Sequence, residues 1–161
     1  GDGVDELPAD GDADRLSHVE RLTAESVRAD TGGAIRWLMG RGLSADRIGV
    51  VGFGLGGAVA LIVATQHDLG AAVTVGGTGV VRQVTASLPA LVDIAPELRC
   101  PWLGIYGRGG DVPEEEVRKL RDAAHSAEVA TELVYCRFDT DQPIAPEAWA
   151  RAVNWFAGHL R

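Results

Sequence analysis

Ile48-Gly49-Val50-Val51-Gly52-Phe53-Gly54-Leu55-Gly56-Gly57 carries the fold assignment of this chain. Its first six residues form a short apolar, β-branched run of the kind that makes a strand buried on both faces. The stretch that begins at Leu55 and ends at Gln66, LGGAVALIVATQ, is apolar nearly all round, which predicts a helix at the centre of a domain. Strand gives way to helix at a single residue, Gly54, with further glycines at 52, 56 and 57. Two motifs have this context. One is the nucleophile elbow, Gly-x-nucleophile-x-Gly; the other is the dinucleotide fingerprint G-x-G-x-x-G, matched by Gly52, Gly54 and Gly57.

Upstream, apolar residues recur at intervals of three and four from Leu16 to Leu38, predicting an amphipathic helix over Asp14–Met39, with Gly32 and Gly33 as its weak point and Gly40 and Gly42 as its stop. Downstream, strands are expected at Ala71–Val75, Pro101–Tyr106 and Thr131–Cys136. Helices are expected around Pro89–Ile94, over Pro113–His125 and over Pro146–Leu160, the last with Trp149, Val153 and Phe156 on one face. Strand and helix alternate four times, so the connections cross over and the class is α/β: a parallel sheet flanked by helices. Residues 1–13 read as a Gly/Asp-rich irregular start, and 14–161 as one domain.

Composition narrows the function. The 161 residues carry a formal charge of −8, which disfavours a nucleic-acid or anionic-membrane partner. Cys100 and Cys136 are too few for a disulfide framework and lack zinc-ligand spacing. No apolar run approaches the roughly 20 residues that span a bilayer. The expectation is a soluble cytoplasmic protein with no cofactor and no metal, whose partner is a small neutral or cationic molecule or another protein. The start at Gly1, without Met, reads as the middle of a longer chain or a processed terminus.

The elbow reading is the stronger one. Ala45-Asp46-Arg47-Ile48-Gly49-Val50-Val51-Gly52-Phe53, followed by x-x-Gly-Gly-Ala, resembles the dienelactone hydrolase family of α/β-hydrolases, and the similarity continues through Leu103–Gly107, Asp111-Val112-Pro113 and Glu132–Tyr135. The resemblance implies a Cys or Ser at the centre of the elbow, an Asp beyond the third strand and a His beyond the fourth. Here Gly54 occupies the nucleophile position, Asp111 that of the acid, in a shorter loop, and Thr140 that of the His. Gly54 has no side chain to attack a carbonyl, and Thr140 cannot act as a general base near neutral pH. The resemblance therefore implies a degenerate hydrolase that binds a ligand or partner, with the Leu55 backbone N–H as a surviving oxyanion donor and Phe53, Phe138 and Trp149 as candidates to line the pocket.

Other readings stand beside it. Cys136, at the carboxyl end of its strand, is the alternative nucleophile of a still-active ester or lactone hydrolase; the plain reading is a structural thiol. A dinucleotide site needs an acidic residue at the end of the second strand, where the sequence has Val75-Gly76-Gly77-Thr78. Asp111 also reads as a cap for the helix that starts at Pro113. His18, His67, His125 and His159 all fall away from the carboxyl ends of the strands. Finally, family members carry strands before the first helix that have no counterpart here. An open sheet edge is therefore expected, filled by a segment absent from this sequence or else by association.

Overall fold

The computed structural model describes residues 19–137 and 146–161. Helix α1 covers Ala24–Met39; Val19 and Glu20 ahead of it are also helical, a capping box at Thr23 separates the two stretches, and residues 14–18 of the expected helix lie outside the described residues. The Ser26 N–H donates to Thr23 Oγ1 and the Thr23 N–H donates to Ser26 Oγ, so two orphan donors are satisfied at Thr23 and the preceding turn is cut off. Gly32 and Gly33 do not interrupt the helix. Gly32 is buried, and a Cβ there would lie 3.8 Å from the His67 ring.

The chain continues as β1 (Gly49–Phe53), α2 (Leu55–Gln66), β2 (Ala71–Val75), the short α3 (Leu91–Ile94), β3 (Trp102–Gly107), α4 (Glu114–Ala124), β4 (Thr131–Cys136) and α5 (Pro146–His159). The four strands lie in the order β1-β2-β3-β4, all parallel, with Gly49 paired to Ala71, Ala72 to Trp102 and Trp102 to Thr131. This is the α/β architecture that the alternation of elements predicts.

The pleat divides the core into two layers. Trp102 and Tyr106 face the layer built around Leu61, Ile62, Leu91 and Leu120, whereas Leu103 and Ile105 face the layer that holds Val73, Cys136, Ala148 and Ala152. Helix α2 is buried along most of its length, as its all-round apolar sequence requires. In helix α5 Ala148 and Ala152 are the buried residues, while Trp149 and Val153 are about half exposed. Small side chains let the helix axis approach the sheet, and Trp149 and Phe156 lie beside β1, against Phe53 and Gly49. Thr74 is a fully buried polar residue; its hydroxyl donates to the Gly57 carbonyl (2.9 Å) and accepts from Trp102 Nε1 (3.1 Å), tying β2 to both the elbow and β3. No described helix is long and apolar enough to cross a membrane.

Candidate functional site

The elbow is held from below by close backbone approach. A Cβ on Gly52 would overlap the Gly56 carbonyl, and one on Gly57 would come within 3.1 Å of both Gly77 Cα and Thr74 Cγ2. Only hydrogen side chains let β1, α2 and the end of β2 meet here. Gly54 is fixed at φ 54°, ψ −120°. Its N–H donates to the Val75 carbonyl (2.9 Å), and its carbonyl accepts from the Gly57 N–H (3.0 Å) and the Ala58 N–H (3.2 Å). Above Gly54 the situation reverses: a Cβ there would meet nothing within 4 Å.

That empty side opens on a cleft of about 410 Å³, lined by Gly54, Gly76, Thr78, Tyr106 and the loop 107–112. A shallower recess of about 280 Å³ shares Thr78, Asp111 and Val112 with it and adds Arg82 and Glu116. The cleft lies outside the carboxyl ends of the strands, where open α/β sheets bind ligands. Its floor is backbone: Gly54, Gly76 and Gly109 all have positive φ, and a Cβ at any of them would meet nothing within 4 Å. Tyr106 closes one wall with its hydroxyl donating to the Gly77 carbonyl (3.3 Å), and burial pushes that phenol up, so it stays neutral. Charge sits at the rim. The Arg108 guanidinium lies 5.3 Å from the centre of the Tyr135 ring, and neither Arg108 nor Asp111 makes an ion pair among the described residues.

The structure thus brings Gly54 and Asp111 to one cleft. Asp111 is not a helix cap: the N-cap of α4 is Pro113, at φ −58° and ψ 139°, with no side-chain bond to the helix. Leu55 heads α2 beside the cleft, and the first N–H groups of a helix have no intrahelical partner. Phe53 and Trp149 stack on each other, centroids 6.4 Å apart, on the side of the sheet that α5 covers rather than in the cleft lining. Thr140 and Phe138 lie outside the described residues, as does His18. His67 and His125 follow the last turns of α2 and α4, and His159 ends α5 beside a recess shared with Asp46 and Arg161, so none of the three lines the cleft.

Cys136 is 2% exposed, and burial, with Glu147 adding to it, pushes its thiol up from the ordinary value, which is the reverse of what a nucleophile needs. Cys100 is pushed up to about 11 by burial. No group of His, Cys, Asp and Glu among the described residues could hold a metal. Where the dinucleotide reading needs an acid at the end of β2, the cleft has Gly76 and Thr78. Sequence reasoning passed over Gly76, Thr78, Tyr106 and Arg108 as parts of the site. Their signal was positional, since each ends or follows a strand at its carboxyl end.

The family model for the dienelactone hydrolase family matches residues 5–160. A protein of Salmonella typhi named "Putative carboxymethylenebutenolidase" is 30% identical over 152 residues, covering 86% of this chain and 56% of its own. The protein of that name in Escherichia coli K12 is 28% identical over 151 residues, with the same coverage. The chain therefore spans a little over half the length of these relatives. Among solved structures, one titled "Putative Dienelactone Hydrolase" from Klebsiella pneumoniae superposes with a TM-score of 0.74 at 28% identity, over 86% of this chain and 63% of that one. The 2,6-dihydroxy-pseudo-oxynicotine hydrolase shares the fold, with a TM-score of 0.70 at 19% identity, over 91% of this chain and 51% of its own. With the elbow, the strand order and a match running from residue 5 to residue 160, the chain belongs to the dienelactone hydrolase family.

Proposed function

We propose that this chain is a catalytically degenerate dienelactone-hydrolase-like protein that binds a small ligand in the elbow cleft without hydrolysing esters. The observation that carries this is Gly54: the elbow keeps its turn and leaves open space above it, yet has no side chain to attack a carbonyl. Covalent ester hydrolysis needs a nucleophile and a base within hydrogen-bond reach. At the base's position the resemblance places Thr140, and no described histidine lines the cleft. Against an active enzyme with a displaced nucleophile stands the buried, raised thiol of Cys136. What remains is recognition. Backbone donors at the head of α2, the glycine floor and the rim charges Arg108 and Asp111 suit a compact polar ligand, and a lactone of the kind for which the named relatives are called butenolidases is the first to try.

The test is turnover of p-nitrophenyl acetate and of a dienelactone by the purified chain, beside the Gly54→Cys/Thr140→His double variant. An inert parent and a double variant with measurable turnover is the expected result. Parent turnover well above buffer that Cys136→Ala removes would overturn the proposal.

A further inference from the structure

Along α1, positions 28, 32 and 36 form one stripe, each about a turn beyond the last, and the sequence places Arg28, Gly32 and Arg36 there. Gly32 is buried, and the side chains that meet over it are polar: a Cβ there would lie 3.3 Å from Arg36 Nη1 and 3.8 Å from His67 Cε1. Glycine at this point lets a guanidinium and an imidazole share one space. A third cation arrives from the segment that leads into β3. The Arg99 N–H donates to the Ala64 carbonyl (3.0 Å), which pins that residue to the last turn of α2, and its guanidinium forks onto Asp68 at 2.9 and 2.7 Å.

Charge in this cluster does not balance. Asp68 pairs with Arg99, whereas neither Arg28 nor Arg36 makes an ion pair among the described residues. His67 Nε2 is buried without a hydrogen-bond partner among the described residues. Burial, then Arg99, Arg36 and Arg28, hold the imidazole below its ordinary pKa, with Asp68 opposing, so all three guanidiniums act on one ring. In a chain of formal charge −8, like charges gathered this closely are unfavourable until an anion joins them. The stripe also stands clear of the edge of the sheet: it lies about 110° round the helix from the face of α1 that looks toward β1, made by Thr31, Ala34, Ile35 and Leu38.

We propose that Arg28, Arg36 and His67 bind a phosphoryl group, carried by free phosphate or by a phosphorylated small molecule, at the end of α2 opposite the elbow. The site is separate from the elbow cleft, since α2 sets the two roughly 18 Å apart. A carboxylate brings two acceptor oxygens, and Asp68 already uses both on Arg99. A phosphoryl group brings three, one each for two guanidiniums and the imidazole N–H, and guanidinium forks match its geometry. The carboxyl end of α2 repels anions, so the arginines rather than the helix supply the attraction. Arg36 is exposed, and its long side chain can pivot to admit an oxygen to Nε2.

The experiment is a proton NMR titration of the histidine rings of the 161-residue chain in chloride, inorganic phosphate and glycerol phosphate at equal ionic strength, with His67→Gln to identify the His67 signal. The expected result is a His67 pKa at least ~1 unit higher in phosphate than in chloride, the mark of a tenfold preference of the anion for the protonated ring, with His125 and His159 moving far less. Arg28→Gln and Arg36→Gln, both at exposed helix positions, should each remove most of that difference. A larger rise with glycerol phosphate identifies the ligand as a phosphorylated small molecule, and equal rises identify it as free phosphate. Phosphate and chloride titrations that coincide overturn the proposal. So does equal movement of all the histidines, or a difference that survives both arginine variants. If a variant fails to fold, the parent's comparison of His67 with His125 and His159 decides alone.

Discussion

The underside and the upper side of the elbow hold the same residue type for opposite reasons. Below, backbone leaves no room for a Cβ on Gly52 and only a tight fit for one on Gly57 against Gly77 and Thr74. Above, Gly54, Gly76 and Gly109 have all the room a side chain needs, and only their positive φ favours glycine. The turn at Gly54 is thus specified by packing beneath it, and its architecture does not depend on a side chain at position 54. The sharpest way to break this distinction is Gly52→Ala. Its Cβ would run into the Gly56 carbonyl, which cannot rotate away, so β1 and α2 must separate. The expected loss is about 3–5 kcal/mol of unfolding free energy, read by urea denaturation, or failure to fold at all.

Gly54→Ala sharpens the same contrast from the other side. The new methyl meets nothing within 4 Å, so the cost is backbone strain alone at φ 54°. About 1–2 kcal/mol is expected, well below Gly52→Ala, with the folded structure unchanged by circular dichroism. A loss at Gly54 equal to that at Gly52 would mean that the turn is as tightly packed above as below.

The same division explains what the sequence made legible. The strand and helix of the elbow, the parallel α/β order and the glycine at the turn between them were readable because they rest on local pattern: β-branched run, all-round apolar helix, glycine at a counted position. Glycine's reasons were not readable, since Gly52 and Gly54 differ only in what lies across space from them. The break ahead of α1 was missed for a related cause. The apolar spacing runs unbroken through Leu22, but the reciprocal Thr23–Ser26 hydrogen bonds start a new helix at Ala24, and Ser at the third position is a weaker cue than the usual Glu. On α5 the large residues Trp149, Val153 and Phe156 drew attention, while the buried contact is made by Ala148 and Ala152. Arg108 and Thr78 join the cleft only because the strands on which they follow end side by side.

The far end of α2 gives the smallest effect and extends the comparison along the helix. His67 follows the last turn, its Nε2 buried without a hydrogen-bond partner among the described residues. Burial, then the nearby Arg99, Arg36 and Arg28, lower its pKa below the ordinary 6.5, with Asp68 opposing. A histidine whose folded pKa lies below its unfolded value takes up its proton first in the unfolded chain. Stability contributed here is therefore complete above pH 6.5 and declines as pH falls from 6.5 to the folded pKa, levelling off beneath it. His67→Gln should flatten that limb of the stability–pH curve while leaving the carboxylate-driven loss at lower pH in place. Denaturation midpoints at pH 7.5 and 5.5 for both proteins provide the check. The ring is partly open to solvent, so water screens the charge and the difference should be small beside the cost of Gly54→Ala. If both proteins lose stability equally over that interval, the arginines do not act on His67, and this end of α2 is held by packing alone, as the underside of the elbow is.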